Sequence, residues 1–391
     1  MKRMITASVA LLSALSLVAQ DWSSVLSSVE GNNTTLKALR AETEAIKAEA
    51  RTGLTPADPE VELGYLWGTP KDQGNRLDLN VTQTFDFPTV YHYRKMISRG
   101  EATVADFEYA TQRKAILLEA EKTCIDIVYH NALANALKRR LDSAQSIADA
   151  SQRLSDKGEI STLDLRKAVL NLVAARKDFE SNEINLRSLE DELARLNGGR
   201  EIKVDDDAFC VSLLPEDFEE WYTHAESVNP ELQAIAAQSR NAENQVRLAQ
   251  AEWLPKFSVG YVSERIAGTS LQGIGAGISI PLWEGKGKVK AAKARSEALK
   301  ARCEDSAAQF HNALRNKYHQ AMGLQKVAAD YKAEVGRIVS LELLDKALAS
   351  GELSLVEYEL EEVMWYDALS GALESERDYM MIVAELNQYS R

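Results

Sequence analysis

The chain has 391 residues and a formal net charge of −13, a balance that argues against nucleic acid as a partner. Its 8 Pro, 20 Gly and long runs of Ala, Glu, Lys, Leu and Arg are typical of long helices. Its 3 Cys cannot all pair, and the Cys and 5 His show no metal-ligand spacing, so we predict no metal and no cofactor. The cysteines are predicted to be buried small apolar residues, and the alternative is one bridge between two of them.

The first twenty residues have the pattern of a secretory signal. Lys2 and Arg3 give a positive start, residues 5–18 are mostly apolar, and Ala19 lies in a small-residue cleavage region. We expect the mature chain to start near Gln20 or Asp21, and without a cysteine there we expect no lipid anchor. No later stretch approaches the roughly 20 apolar residues that a membrane-spanning helix needs. Any spanning segment of the mature chain must therefore be a strand.

Two strand hairpins are predicted, at residues 61–87 and 257–280, because apolar side chains alternate there with polar or small ones. The apolar positions are Val61, Leu63, Tyr65, Trp67, Leu77, Leu79, Val81, Phe85 and Phe87, then Phe257, Val259, Tyr261, Ile274, Ala276, Ile278 and Ile280. Strands of about 10 residues with this alternation are typical of outer-membrane barrels. Four strands cannot close a barrel, so two, three or four copies of the chain would have to complete it.

The polar strand face is rich in glycine and serine, for example Gly260, Gly275, Gly277, Ser258 and Ser279. Small residues would leave a lumen open. The same glycines could instead mark bulges or curvature in a plugged or soluble sheet. The sequence leaves both interpretations open.

A very long helix is predicted after each hairpin, starting at Pro88 and at Pro281. Each runs for roughly 65 residues with almost no Gly, which at 1.5 Å per residue gives about 100 Å. The helices end at Gly158 and Gly351, the residue type that accepts a left-handed cap. Capping boxes then start the next helices, at Ser161 with Asp164 and at Ser354 with Glu357, so we predict two hairpin tips.

The proline at the start and the glycine at the end of each predicted long helix recur at one offset. Pro88 and Pro281 are 193 residues apart, as are Gly158 and Gly351. The chain is therefore predicted to be a tandem duplication. We divide it into a signal peptide (1–20), a first repeat (21–198), a linker (199–216) and a second repeat (217–391). Each repeat is expected to contain a helix, a β-hairpin, a long helix, a tip turn and a helix.

The chain resembles the TolC-type outer-membrane efflux family over nearly its whole mature length. The most specific segment is Ile278-Ser279-Ile280-Pro281-Leu282-Trp283-Glu284-Gly285, similar to the strand end of that family, with a weaker copy at Phe85-Asp86-Phe87-Pro88. The two tips share the form Gly-x-x-Ser-x-x-acidic: Gly158, Ser161 and Asp164, then Gly351, Ser354 and Glu357.

The resemblance implies an α+β protein in which a long α-helical barrel continues a transmembrane β-barrel with four strands per protomer. It implies a homotrimer in the outer membrane whose helices lie in the periplasm, residues 199–216 forming an equatorial belt. It further implies that the tips dock to a periplasmic adaptor (membrane fusion) protein and, through it, to an inner-membrane pump. The expected function is a passive exit duct for tripartite efflux or type I secretion, and the chain is not expected to be an enzyme.

The resemblance also implies a pore gate at Glu357, with Asp164 as its first-repeat equivalent. One turn after Glu357 the matching acidic position holds Leu360, and Glu361 is displaced by one. The alternative role of Glu357 is a helix-capping carboxylate only. For the whole chain, the alternative function is a periplasmic coiled-coil scaffold, which explains the helices but not the amphipathic hairpins.

Overall fold

The structure is a computed structural model that describes residues 22–70, 74–210, 214–266, 268–283, 285–337 and 341–389. The predicted signal peptide, residues 1–20, lies outside the described residues, as does Glu284. No described helix is long and apolar enough to cross a membrane. The helices are α1 Ser23–Asn32, α2 Thr34–Glu49, α3 Pro88–Asp156, α4 Thr162–Leu196, α5 Phe218–Val228, α6 Pro230–Ala251, α7 Lys288–Arg337, α8 Leu341–Ser350 and α9 Leu355–Asn387. The strands are β1 Glu60–Leu66, β2 Arg76–Phe85, β3 Lys256–Ile266 and β4 Thr269–Ser279.

The four strands form one antiparallel sheet in the order β1-β2-β3-β4, so the two predicted hairpins lie side by side. The register aligns Val61, Val81, Tyr261 and Ile274 in one row across the sheet. Neighbours in a row point to the same face, and successive rows alternate. The predicted separation into an apolar and a polar face is therefore confirmed for this row and for the row of Phe85, Phe257 and Ile278.

Near the β3–β4 turn the apolar face becomes polar. Leu63 and Leu79 share their row with Ser263 and Gln272, and the next row ends with Arg265 and Ser270. The opposite face carries Asn80, Thr82, Gly260 and Gly275. The apolar side chains thus dominate this face from the row of Phe257 to the row of Tyr261, where Gln83 is the one polar side chain among the paired residues.

The chain divides into two compact units, and each takes segments from both predicted repeats. Unit 2 consists of Thr34–Ala115, Glu219–Arg315 and Tyr389–Arg391, so it contains the sheet. Its helices are joined by side-chain ion pairs between Lys47 and Asp106 at 2.5 Å and between Lys300 and Glu243 at 2.7 Å. The division by repeats stays a prediction, because these units follow spatial contacts rather than the duplication.

Unit 1 consists of Met1–Asn33, Ile116–Phe218 and Asn316–Gln388. Its apolar core joins α1, α3 and α4 through Val29, Cys124, Val128 and Leu193, all of them buried. Part of residues 199–216 packs on this core, where the Asn131 side-chain amide donates to the carbonyl oxygen of Val204 at 2.9 Å.

Ion pairs between side chains connect α4 to α3, α3 to α9 and α9 to α7 in unit 1. The Arg140 guanidinium on α3 pairs with Asp178 on α4 at 3.0 Å. Lys122 on α3 and Lys317 on α7 both pair with the Glu385 carboxylate on α9. Helix α3 is therefore a neighbour of both α4 and α9, and α9 is also a neighbour of α7.

The predicted start of the first long helix is correct, and that of the second is wrong. Pro88 is the first residue of α3, but α7 begins at Lys288, seven residues after Pro281. Two tight turns intervene, and Gly287 has φ +86°. A residue in the left-handed region cannot continue a right-handed helix, which delays the start of α7. The second long helix is described as α7 and α8, and residues 338–340 between them lie outside the described residues.

No disulfide joins Cys124, Cys210 and Cys303, all of which lie among the described residues. Cys124 is buried as predicted, and burial raises its pKa to about 12. The prediction is wrong for Cys210 and Cys303, which are half-buried. Cys210 lies in the non-helical linker, and Cys303 lies on α7 among mostly exposed neighbours.

Candidate functional site

The first predicted tip is the turn between α3 and α4. Gly158 has φ +72°, and the N–H groups of Gly158 and Glu159 donate to carbonyl oxygens of the last turn of α3 at 2.9 Å. Ser161 caps α4: its hydroxyl accepts from the Asp164 N–H at 3.2 Å and donates to the Asp164 carboxylate at 2.7 Å. This hydroxyl holds the pKa of the Asp164 carboxyl below its ordinary value. The turn is a helix stop followed directly by a helix start.

The second tip, between α8 and α9, repeats this geometry. Gly351 has φ +74°, and its N–H donates to the Leu348 carbonyl oxygen at 3.1 Å. The capping box is complete, since Glu357 N–H donates to the Ser354 hydroxyl at 3.3 Å and Ser354 N–H donates to the Glu357 carboxylate at 2.9 Å. These bonds, first of all the one from the Ser354 hydroxyl, lower the pKa of the Glu357 carboxyl. Glu357 is therefore an exposed, ionised carboxylate held in a fixed position.

An apolar cluster below the turns joins the two tips. It contains Ile147 of α3, Ala168 of α4, Leu344 of α8 and Tyr358 of α9. The Tyr358 hydroxyl donates to the Asp345 carboxylate at 2.7 Å. The predicted site residues of both repeats thus belong to one packed structure at one end of unit 1.

One buried and one half-buried acid, Glu362 and Glu359, lie beside this cluster, and neither was predicted from the sequence. Glu362 is only 1% exposed, and its Oε2 has no hydrogen-bond partner among the described residues. Burial raises its pKa, against the opposing effects of the Ser143 hydroxyl and Arg140. Burial also raises the pKa of Glu359, whose Oε1 likewise lacks a partner among the described residues.

The two positions considered for a second gate acid, Leu360 and Glu361, lie on the exposed side of α9, away from Glu362. Leu360 is 61% exposed, and Glu361 is exposed as well. Glu361 and Glu362 are adjacent in the sequence, so the presence of acidic residues alone could not show which of the two carboxylates is buried. The available signal in the sequence was that Glu362 follows Tyr358 by four residues, a spacing that puts both side chains on one face of the helix.

The described residues contain no group of three or more His, Cys, Asp or Glu side chains that could hold a metal ion. Instead, the tips offer fixed turns, two capped carboxylates and a row of exposed apolar side chains. That row lies on α4, where Leu163, Leu170 and Ile184 recur at multiples of seven residues and all are exposed. Such features suit contact with other protein surfaces rather than covalent chemistry.

The fold is similar to that of solved bacterial outer-membrane channels. The Campylobacter jejuni CmeC outer membrane channel aligns with TM-score 0.77 and 15% identity over 99% of this chain and 89% of that chain. The Vibrio cholerae outer membrane protein VceC aligns with TM-score 0.75 and 12% identity over 94% of this chain and 95% of its own. The open state of the Neisseria gonorrhoeae MtrE outer membrane channel gives TM-score 0.70 and 15% identity over 94% and 88%. The sequence matches no family model and no curated protein.

The predicted α+β fold class and the TolC-type resemblance are therefore confirmed at the level of the fold. Closure of the sheet into a barrel stays a prediction, as do the roles of the tip residues.

Proposed function

We propose that the chain is the outer-membrane channel subunit of a tripartite efflux or type I secretion system and acts as a passive exit duct. The observation that carries this proposal is the exposed apolar face of the sheet. Val61 is 68% exposed and Ile274 is 85% exposed in the same cross-strand row. At roughly 25 cal/mol per Å², exposed apolar side chains of this kind are costly in water and favourable in hydrocarbon.

The edges of the sheet support completion by further copies of the chain. Strands β1 and β4 are the outer strands, and each has one neighbour in the sheet. In hydrocarbon an unpaired backbone polar group costs several kcal/mol, so the edge strands must pair. Three copies would give a closed barrel of twelve strands, as the family resemblance implies.

The helical part has a matching requirement. The α4 face with Leu163, Leu170 and Ile184 points away from the contact with α3, which uses Ala168 and Ala175. In a head-to-tail ring of copies, this exposed α4 face of one copy would pack against a helix of the next copy. Such a ring would bury the row of exposed apolar side chains on α4 and enclose a continuous duct.

The tips are the proposed docking site for a periplasmic adaptor protein, with Gly158, Ser161, Asp164, Gly351, Ser354 and Glu357 shaping the two turns. Both tips are short, rigid and supported by one apolar cluster, as a docking surface requires. Cysteines introduced at Lys157 or Glu352 are expected to cross-link to the adaptor, whereas a cysteine at Thr269 is not. Labelling of Lys157→Cys from outside intact cells would contradict this orientation.

Glu357 is proposed to line the pore constriction as well as to cap α9, with Asp164 in the equivalent place of the first repeat. In a three-fold ring, like charges close together repel one another and attract cations. The capping box keeps the Glu357 carboxylate ionised and fixed, which suits a cation-binding ring.

The whole proposal is tested with the full-length protein purified from membranes. We expect a detergent-stable oligomer that dissociates on heating in gel electrophoresis, and stepwise conductance in planar bilayers. A water-soluble oligomer from the periplasmic fraction without conductance would instead favour the coiled-coil scaffold and refute the channel.

A further inference from the structure

A strongly basic segment follows β4. Lys286, Lys288, Lys290, Lys293 and Arg295 occur between Gly285 and Ser296 without any acidic residue, although the chain as a whole has a net charge of −13. All five side chains are exposed. Lys288 lies 3.6 Å from the Glu252 carboxylate, and within the described part of the chain Lys286, Lys290 and Lys293 have no ion pair.

The lysines are not explained by the helix that they start. Helix α7 has no acidic residue in its first turn, and cations there oppose the positive end of the helix dipole. The first repeat differs, because Arg94 near the start of α3 pairs with Asp86 at 2.9 Å. The basic segment is therefore a surface feature of the second repeat that local helix stability disfavours.

Large apolar side chains are exposed directly before the lysines. Leu282 is exposed, and Trp283 is 78% exposed. Lys286 belongs to the same tight turn as Trp283, since its N–H donates to the Trp283 carbonyl oxygen at 3.1 Å. An apolar surface and a cationic surface thus meet within one turn of backbone.

This turn is anchored to the rest of unit 2. Gly285 is buried against the Trp253 ring so closely that a Cβ at this position would lie 2.5 Å from the indole. Trp253 itself stays partly exposed, and it adds a second aromatic ring to the same surface. The backbone of this turn is therefore held beside Trp253, and the exposed aromatic and basic side chains project from one anchored segment.

We propose that Leu282, Trp283, Lys286, Lys288, Lys290 and Lys293 form a lipid-binding belt that takes the anionic headgroups of the phospholipid leaflet next to the helical part. The belt rests on the proposed membrane location of the sheet. Along the chain, the exposed apolar side chains of β4 are followed by Ile280, Leu282, Trp283 and then the lysines. This order matches the change from hydrocarbon to interface to charged headgroups, where tryptophan rings and lysine side chains are favoured.

The test uses the full-length oligomer in detergent, titrated with dioleoylphosphatidylglycerol or dioleoylphosphatidylcholine, with bound lipids counted by native mass spectrometry. The variant replaces Lys286, Lys288, Lys290 and Lys293 by Gln. The control replaces four exposed lysines of unit 1, Lys177, Lys203, Lys326 and Lys346, by Gln, so that the net charge changes equally. A further variant carries Arg at the four belt positions.

We expect the belt variant to lose its preference for phosphatidylglycerol by at least about tenfold, since each lysine near an anionic surface contributes roughly a fivefold effect. The control and the Arg variant should keep the preference, and high salt should weaken it in the wild type. Unchanged preference in a belt variant that still conducts in phosphatidylcholine bilayers would overturn the belt and leave the channel intact. A wild type that enters no bilayer at all would refute both the channel and the belt.

Discussion

The assignment of the apolar sheet face to hydrocarbon is best tested by an arginine at Val81. Val81 is the sixth residue of β2, with Arg76 and Phe85 at the strand ends. At about 3.3 Å per residue and a tilt of about 40°, it lies roughly 10 to 13 Å along the membrane normal from either end. In a membrane-spanning strand of this length, that position is near the midplane, where an arginine on the lipid face costs about 2 to 4 kcal/mol.

Two further positions make the prediction specific to depth and to face. Thr82 is the next residue on the same strand but lies on the polar face, aligned with Gly260. We therefore expect Thr82→Arg to be far milder. Ile278 is on the apolar face but one residue from the end of β4, so Ile278→Arg should cost only about 0 to 1 kcal/mol.

The assay is urea unfolding of the protein reconstituted in lipid vesicles, with the fraction of folded protein read from gel mobility. Val81→Met serves as a control that adds length without charge. The reasoning is refuted if Val81→Arg and Thr82→Arg lower the free energy of unfolding equally. It also fails if Val81→Met is as harmful as Val81→Arg, since size rather than desolvation of the charge would then explain the effect.

Three other predictions concern the tips and the turn before α7. Glu357→Gln keeps the capping geometry but removes the charge, so block of the channel by divalent cations from the periplasmic side should weaken; unchanged block and conductance would reduce Glu357 to a helix cap. The pKa of Glu362 is raised by burial, so its stabilising contribution is complete below the ordinary glutamate pKa and is lost as pH rises through the folded-state value. Glu362→Gln should therefore become more stable relative to wild type as pH rises from about 5 to 8, and a pH-independent difference would contradict this. Gly285→Ala should lower stability by about 1 to 3 kcal/mol by displacing Trp253, whereas Gly323→Ala, with open space at its Cβ, should raise the stability of its helix; equal effects in denaturant titrations would refute the close contact.

Much of the architecture is local and could be predicted from the sequence. Strand alternation depends on the period of two, and it placed Val81 and Ile274 correctly on one face. The tip turns depend on Gly158 and Gly351 in the left-handed conformation. Each of these glycines could be predicted to end a helix because a helix-capping serine follows three residues later. The wrong start of the second long helix also has a local cause, the left-handed Gly287, but a proline at position 281 is equally compatible with a helix that starts there.

The set of elements, their order, their faces and their caps could thus be predicted from local sequence, because they follow from periodicity and from the conformations that single residues allow. Three features came from the packing of distant segments: the burial of Glu362 among the nearby acids of α9, the ion pairs that connect α7 to α9 and α4 to α3, and the contact of Trp253 with Gly285. These depend on contacts between segments far apart in the chain. The burial and the pKa of an acid such as Glu362 depend on every helix that packs around it, and no single segment of the sequence contains that information.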